Sequence, residues 1–201
     1  MAIALNKSSL KQQRDRLKLF QRFLPSLDLK RQQLMIAFKA AKTTLAATEA
    51  EAAQLESSVV DVLPLLGSST LGERDLTDLV RMKSVKIEIE NVVGAKLPIA
   101  REIEFEALEY STLALPFFVD VLVEKLEALS RLRIRVAVER ERVRLLDAAV
   151  RRITQRVNLF DKVHIPGAKR DIARIRIFLA DEERAAVVRS KISKAKREAS
   201  N

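Results

Sequence analysis

The residues with the strongest claim to chemistry are few. The chain has 201 residues, one His and no Cys, so thiolate nucleophiles, thiolate metal sites and disulfides are all excluded. His164 would need a second His or Cys beside it to make a ligand set, and none exists. It falls instead on an apolar row, where a packed seam or interface histidine is expected. Glu102, Glu104, Glu106 and Glu109 suggest paired carboxylates for acid–base work or a cation site. Their period of two is that of a strand, and a solvated face is the expectation. Arg131, Arg133, Arg135, Arg140, Arg142 and Arg144 could grip phosphates, but lie mostly off the apolar rows, as a solvated or partner-facing coat would. Gly167-Ala-Lys-Arg lacks the first Gly and the hydroxyl of a phosphate loop. Aromatic residues make up only 4%, and Phe20, Phe38 and Phe160 sit in apolar rows, so no base-stacking platform is expected. No catalytic residue, cofactor-binding residue or metal ligand is assigned, and the chain is read as non-catalytic.

The elements that must carry these residues are long helices. From Phe117 to Ile165 there is no Gly and no Pro. Leu122, Leu129, Val136, Val143, Val150 and Val157 recur at steps of seven, and Leu132, Leu146, Ile153 and Phe160 form a second row three residues on. Lys125 and Glu139 interrupt that second row. Two rows of this kind form the narrow seam of a coiled coil. A second pattern runs over residues 10–62, with Leu10, Leu17, Leu24, Phe38, Leu45, Ala52 and Val59 in one row, broken by Arg31. Gln13, Phe20, Leu27, Leu34, Ala41, Thr48, Leu55 and Val62 make the other. The phase passes through Pro25 unchanged, which predicts a kink and not an end. Pro166-Gly167 is expected to interrupt the C-terminal helix, since Ile172, Ile175 and Leu179 resume one position off the earlier register.

Neither helix can bury its seam alone. Paired antiparallel, with Pro64 and Pro116 at the shared end, they would bring together residues whose numbers sum to about 180. Between them, Val85, Ile87 and Ile89 alternate with charged residues, as do Ile103 and Phe105, and Gly94 and Pro98 bracket a turn. This predicts a β-hairpin at about 84–106 with one apolar and one charged face. Leu76, Leu79, Val80 and Met82 suggest a short helix before it, and Pro116 suits a helical first turn. The fold class is therefore all-α dominated: a long antiparallel two-helix coiled coil with a small head holding a short helix and a β-hairpin. The expected divisions are an N-terminal helix over 1–63, a head over 64–116, and a C-terminal helix with basic tail over 117–201. The whole is expected to be a rod with an acidic head and a basic tip.

The net charge of +10 is uneven: +4 over residues 1–72, −5 over 73–127 and +11 over 128–201. A basic arm suits nucleic acid, acidic lipid or an acidic protein surface. The first residues give no signal peptide, and no apolar run is long enough to span a bilayer. A soluble, cytosolic chain is expected.

Three segments resemble the D subunit of V/A-type ATPases. The most specific is Arg156-Val157-Asn158 with Ile165-Pro166, followed by Asp171-Ile172 and Leu179-Ala-Asp-Glu-Glu-Arg184. Ser9-Leu-Lys11 and Leu27-Asp-Leu-Lys30-Arg31 with Leu34 are similar to the family's N-terminal helix. Tyr110-Ser111 through Leu115-Pro116-Phe117-Phe118-Val119-Asp120 is similar to a segment of bacterial members. Lys7-Ser8 replaces the usual Pro-Thr, Gln32 follows Lys30-Arg31 where Asp is usual, and Pro25 stands where Gly is common.

The resemblance implies the rotor axle of the central stalk of a rotary ATPase or ATP synthase. Its basic tip (Lys7, Lys11, Arg14 and Arg189) would sit in the bore of the hexamer of catalytic A and B subunits. Its lower part would bind the small F subunit of the rotor and the C/d subunit that caps the membrane ring. The resemblance also implies interface roles for Lys30, Arg31, Arg156, Val157, Asn158, Ile165, Pro166 and Arg184. The chain would be peripheral on the cytoplasmic side of the membrane, and would carry torque in ATP synthesis or hydrolysis coupled to proton or sodium transport. The alternatives are a coiled-coil stalk protein of a type III secretion-like ATPase and a basic nucleic-acid-binding coiled coil.

Overall fold

The computed structural model describes residues 4–61, 64, 80–106 and 118–199. Helix α1 spans Lys7–Val60. Asn6 caps it, its side-chain oxygen accepting the Ser9 N–H at 2.7 Å, which satisfies one of the orphan donors of the first turn. The helix runs on through Pro25, as the unbroken phase requires. Strands β1 (Met82–Val92) and β2 (Ala95–Phe105) form an antiparallel hairpin. Helix α2 covers Phe118–Leu159, a π-helical turn covers Phe160–His164, and α3 covers Ile165–Ala199.

The chain forms two compact units, Met1–Arg31 with Arg152–Asn201, and Gln32–Arg151. Within the second, Lys125 Nζ donates to the Ser58 carbonyl at 3.1 Å, Arg133 meets Glu56 at 2.7 Å, and Arg140 meets Glu49 at 2.7 Å. As the α2 number rises the α1 number falls, so the helices are antiparallel. Within the first, Phe20 packs on Phe160 with ring centroids 5.4 Å apart, and Lys7 reaches Glu183, again antiparallel.

The seam is where the heptads place it. Leu122, Leu129, Leu146, Val150, Ile153 and Val157 are buried, as are Gln13, Leu34, Thr48 and Val59 opposite. Val143 departs from its row and is only half-buried. Val59, Leu122 and Leu129 form one cluster, with Leu55, Phe118 and Leu126 packed against it. Each helix removes a narrow apolar stripe from water, the main source of stability for helices of this kind.

The hairpin exists at the expected place, but three details differ. The turn is Val93-Gly94, both at positive φ (53° and 85°), with the Asn91 side chain accepting the Gly94 N–H. That is the geometry of a two-residue hairpin turn. Pro98 is therefore not part of the turn; it lies inside β2 opposite Ile89. Met82 opens β1 and does not close a helix. The expected apolar face is also split. Lys86 pairs with Glu102 but Ile87 pairs with Ala100, so Arg101 is an extra residue, a β-bulge that turns the remainder of β2 over. Beyond the bulge the apolar residues of the two strands lie on opposite faces. Leu97 is fully buried, while Ile87 and Ile89 are 56% and 71% exposed. The short helix around Leu76 and Leu79, and Tyr110 through Phe117 with Pro116, lie outside the described residues.

Pro166-Gly167 does not interrupt the helix; α3 includes both residues. The preceding turn is widened instead, the Ile165 N–H bonding to the Phe160 carbonyl. A π turn holds one residue more than an α turn, which accounts for the one-position phase change between Val157 and Ile172. It also loosens the backbone just where the Pro166 ring would crowd the carbonyl four residues back.

Deleting Asp161, exposed in this turn, should return it to ordinary α-helix and leave the seams on both sides facing as before. Deleting Arg152, in plain α-helix, should rotate all that follows by about 100°. In thermal melts followed by circular dichroism, the first variant should keep its cooperative transition. The second should lose about 5 °C or more.

Candidate functional site

Lys7, Lys11 and Arg14 lie on successive turns at the start of α1. With Arg176, Leu179 and Glu183 they line an open groove of about 580 Å³. The Lys7–Glu183 pair is long, at 3.9 Å, and its side chains are 81% and 72% exposed. Such a pair is worth little to stability and its charges stay available. Arg184 contacts Asp181 at 3.3 Å in an equally exposed stretch, and Arg189 lies beyond it with Lys194 and Arg197 along a second groove. Every residue from Asp181 to Ala199 is exposed. The structure thus gathers Lys7, Lys11 and Arg14 into one basic surface. Lys30 and Arg31 lie farther along α1, by more than roughly four turns. Lys30 is exposed, and Arg31 is held by Asp28 at 2.6 Å.

The Arg156–Pro166 segment divides its labour. Val157 and Ile165 are buried and hold the packing, Pro166 is half-buried, and Arg156 and Asn158 face outward. Between them His164 stacks on Phe20, centroids 5.1 Å apart and rings 23° from parallel, while Phe160 meets both rings edge-on. This is the seam histidine expected from its position. Close by in sequence stand four apolar side chains that sequence reasoning missed: Leu19, Phe23, Leu159 and Val163, between 44% and 54% exposed. Their signal was legible as i, i+4 pairs one position off the seam. Ile177, Phe178, Val187, Val188 and Ile192 are exposed as well. Unpartnered apolar side chains beside exposed charge are what a protein-binding surface presents.

The arginine coat of α2 is less free than expected. Arg133 and Arg140 cross to Glu56 and Glu49, Arg144 takes Glu141 with two bonds, and Arg142 takes Glu90 of β1. Arg131 donates to the Ile103 carbonyl at 2.9 Å and lies over the Phe105 ring. Arg131 and Arg142 thereby clasp the hairpin to α2. The acidic run is likewise engaged: Glu102 with Lys86 at 2.6 Å, Glu104 with Ser84, and Glu106 with Arg81; Glu109 lies outside the described residues. Among the described residues no group of three His, Asp or Glu side chains could hold a metal ion.

The Lys86 ammonium, through its hydrogen bond first and its charge second, holds the Glu102 carboxyl below its ordinary value of 4.5. A carboxylate so depressed stabilises the hairpin above the ordinary value, and that contribution is lost as pH falls through its own lower one. Protection factors of the β1 and β2 amides, corrected for the intrinsic exchange rate at each pH, should therefore fall on acidification below about pH 4.5. Glu102→Gln should remove that part of the pH dependence and leave the seam amides unaltered.

A family model described as the D subunit of ATP synthase matches residues 9–195. The V-type ATP synthase D subunit of Borreliella burgdorferi is 34% identical over 193 residues, which are 96% of this chain and 94% of that protein. The protein of the same name from Chlamydia muridarum is 29% identical, over 96% of this chain and 95% of its own length. The matched span takes in both partners of the helix pair, the hairpin and the Arg156–Pro166 segment, and the chain belongs to the ATP synthase D-subunit family.

Proposed function

We propose that the chain is the non-catalytic central-stalk axle of a V/A-type rotary ATPase or ATP synthase. It carries torque between the catalytic A/B hexamer and the ion-translocating membrane ring. The observation that carries this reading is the family match along 9–195, which runs through both long helices. The helices support it physically. Two helices sharing a buried seam resist bending and twisting better than one, and a pair with unlike faces presents a different surface to each catalytic pocket as it turns. The basic surface at Lys7, Lys11 and Arg14, extended by Arg189, would track acidic patches in the bore through contacts that are weak singly and readily exchanged. The exposed apolar side chains near Phe20 and Phe160 would be covered by partner proteins of the complex. The small F subunit of the rotor and the ring-capping C/d subunit would occupy the lower part.

In functional terms the divisions are the arm 1–63, the head 64–116, and the arm and tail 117–201. No helix among the described residues is long and apolar enough to cross a membrane. The chain would reach the membrane only through its complex, on the cytoplasmic side. The nucleic-acid reading loses ground because the α2 arginines are largely occupied by the chain's own carboxylates.

A tagged copy expressed in the source cells should bring down the A, B and F subunits, identified by mass spectrometry. Recovery of secretion components or nucleic acid instead would overturn the axle reading. In the reassembled complex, changing Lys7, Lys11, Arg14 and Arg189 together to Gln should lower ion pumping per ATP hydrolysed. Pumping that stays unchanged would remove the electrostatic role and leave the axle role standing.

A further inference from the structure

One flank of the helix pair in the first compact unit is apolar where the seam does not need it to be. Phe20 meets Phe160 across that seam, and His164 stacks on Phe20 as well. At about 100° per residue, the residue just before a seam position and the residue three after it fall on the same flank of a helix. Leu19 and Phe23 stand so to Phe20, and Leu159 and Val163 stand so to Phe160; the wider π turn carries Val163 somewhat further round the same flank. In antiparallel helices, residues displaced the same way from facing positions come out on one side of the pair. All four therefore share a side, with Phe23 beside Leu159 and Leu19 beside Val163. Each is 44% to 54% exposed. They make two short apolar ridges with a groove between them.

The margin of this surface is basic. Arg16 and Lys30 of α1 and Arg152 and Arg156 of α2 obey the same rule of position, and all four are exposed. Among the described residues none of the four takes a carboxylate, whereas Arg31 in the same unit is held by Asp28. Asp28 and Asp161 directly follow the seam residues Leu27 and Phe160, which puts them on the opposite flank. The apolar flank is thus framed by cations that the chain itself does not neutralise.

That frame says what fits. A second copy would bring the same four cations and be repelled, and four half-exposed apolar side chains fall short of what a stable dimer buries. A lipid surface is flat, while two ridges with a groove between them match the rows of side chains on a third helix. The charge of that helix must be opposite to that of the margin.

We propose that this flank docks an acidic amphipathic helix supplied by another subunit of the complex. Its apolar side chains, one turn apart, lie over Leu159 and Val163 on one ridge and Leu19 and Phe23 on the other. Its Asp or Glu side chains meet Arg16, Arg152 and Arg156. This deepens the stalk reading and rests on it only for the source of the helix. The contact is small and its charged margin is wet, so it is of the kind that partners exchange more readily than keep.

The test uses the complex purified through the tagged chain, with p-benzoylphenylalanine in place of Phe23. Illumination and mass spectrometry then identify the peptide captured. A segment of another subunit with apolar residues at helical spacing and carboxylates beside them is expected. Capture of a peptide without carboxylates, of a second copy, of nucleic acid or of lipid overturns the proposal, as does no capture at all. Arg152→Gln with Arg156→Gln should cut the captured fraction at least about fivefold, and so should raising NaCl from about 0.05 M to about 0.5 M. A fraction that neither change lowers also overturns it. None of these side chains lies in the seam, so the variants should melt with the parent, which separates lost docking from lost fold. The subunits present in the complex test the stalk reading separately, while the sequence of the captured peptide decides this one.

Discussion

Everything described depends on one constraint: two long helices, each with an apolar stripe too narrow to fold around itself, must bury those stripes against each other. With four Gly in 201 residues and a chain rich in charged helix formers, the helices are locally favourable, but local preference alone does not keep a 54-residue helix folded in water. The seam does. It explains why Leu122, Leu146, Ile153 and Leu34 are buried while charged residues off the stripe, such as Lys39, Arg140 and Arg151, are exposed. It also explains how Pro25 is accommodated, since a packed stripe on both sides outweighs one missing backbone bond. The cross-helix pairs of Arg133 and Arg140 then lie at the margin of the seam, where they select the antiparallel alignment more than they add stability.

The hairpin is an annex to this seam. Two strands alone are marginal, and here they are held by a fully buried Leu97 and by two arginines of α2, one over an aromatic ring and one on a carboxylate. The α1 surface it approaches is built of Ala and Thr, and small side chains let a strand come close.

Much of this was legible in the sequence because periodicity is a strong signal over forty residues. The two heptad rows predicted which residues are buried, and alternation over Val85–Ile89 predicted a strand. What was not legible turned on single residues whose effect is geometric. Arg101 reads as one more charged residue in an alternating run, yet as a bulge it decides which face of β2 is buried, because one extra residue reverses every side chain beyond it. Pro166-Gly167 reads as a stop, since the usual reading assumes an α turn before proline. The phase slip at Ile172 was visible, but the π turn that produces it was not. The exposed side chains of Leu19, Phe23, Leu159 and Val163 lie one step off the seam, so a count of apolar residues in rows passes them by. The family resemblance pointed to the Arg156–Pro166 segment. The structure adds that Val157 and Ile165 face inward while Arg156 and Asn158 face out.

The widened turn at Phe160–His164 also bears on how this chain can vary. An extra residue in an ordinary coiled coil is ruinous, because it misorients every contact that follows. Here the surplus is confined to five residues, backed by three rings in mutual contact, and the stripes on both sides keep their own phase. The turn works as an expansion joint. A chain lacking the surplus residue could close this turn as ordinary α-helix and keep the stripes on both sides facing as they do here.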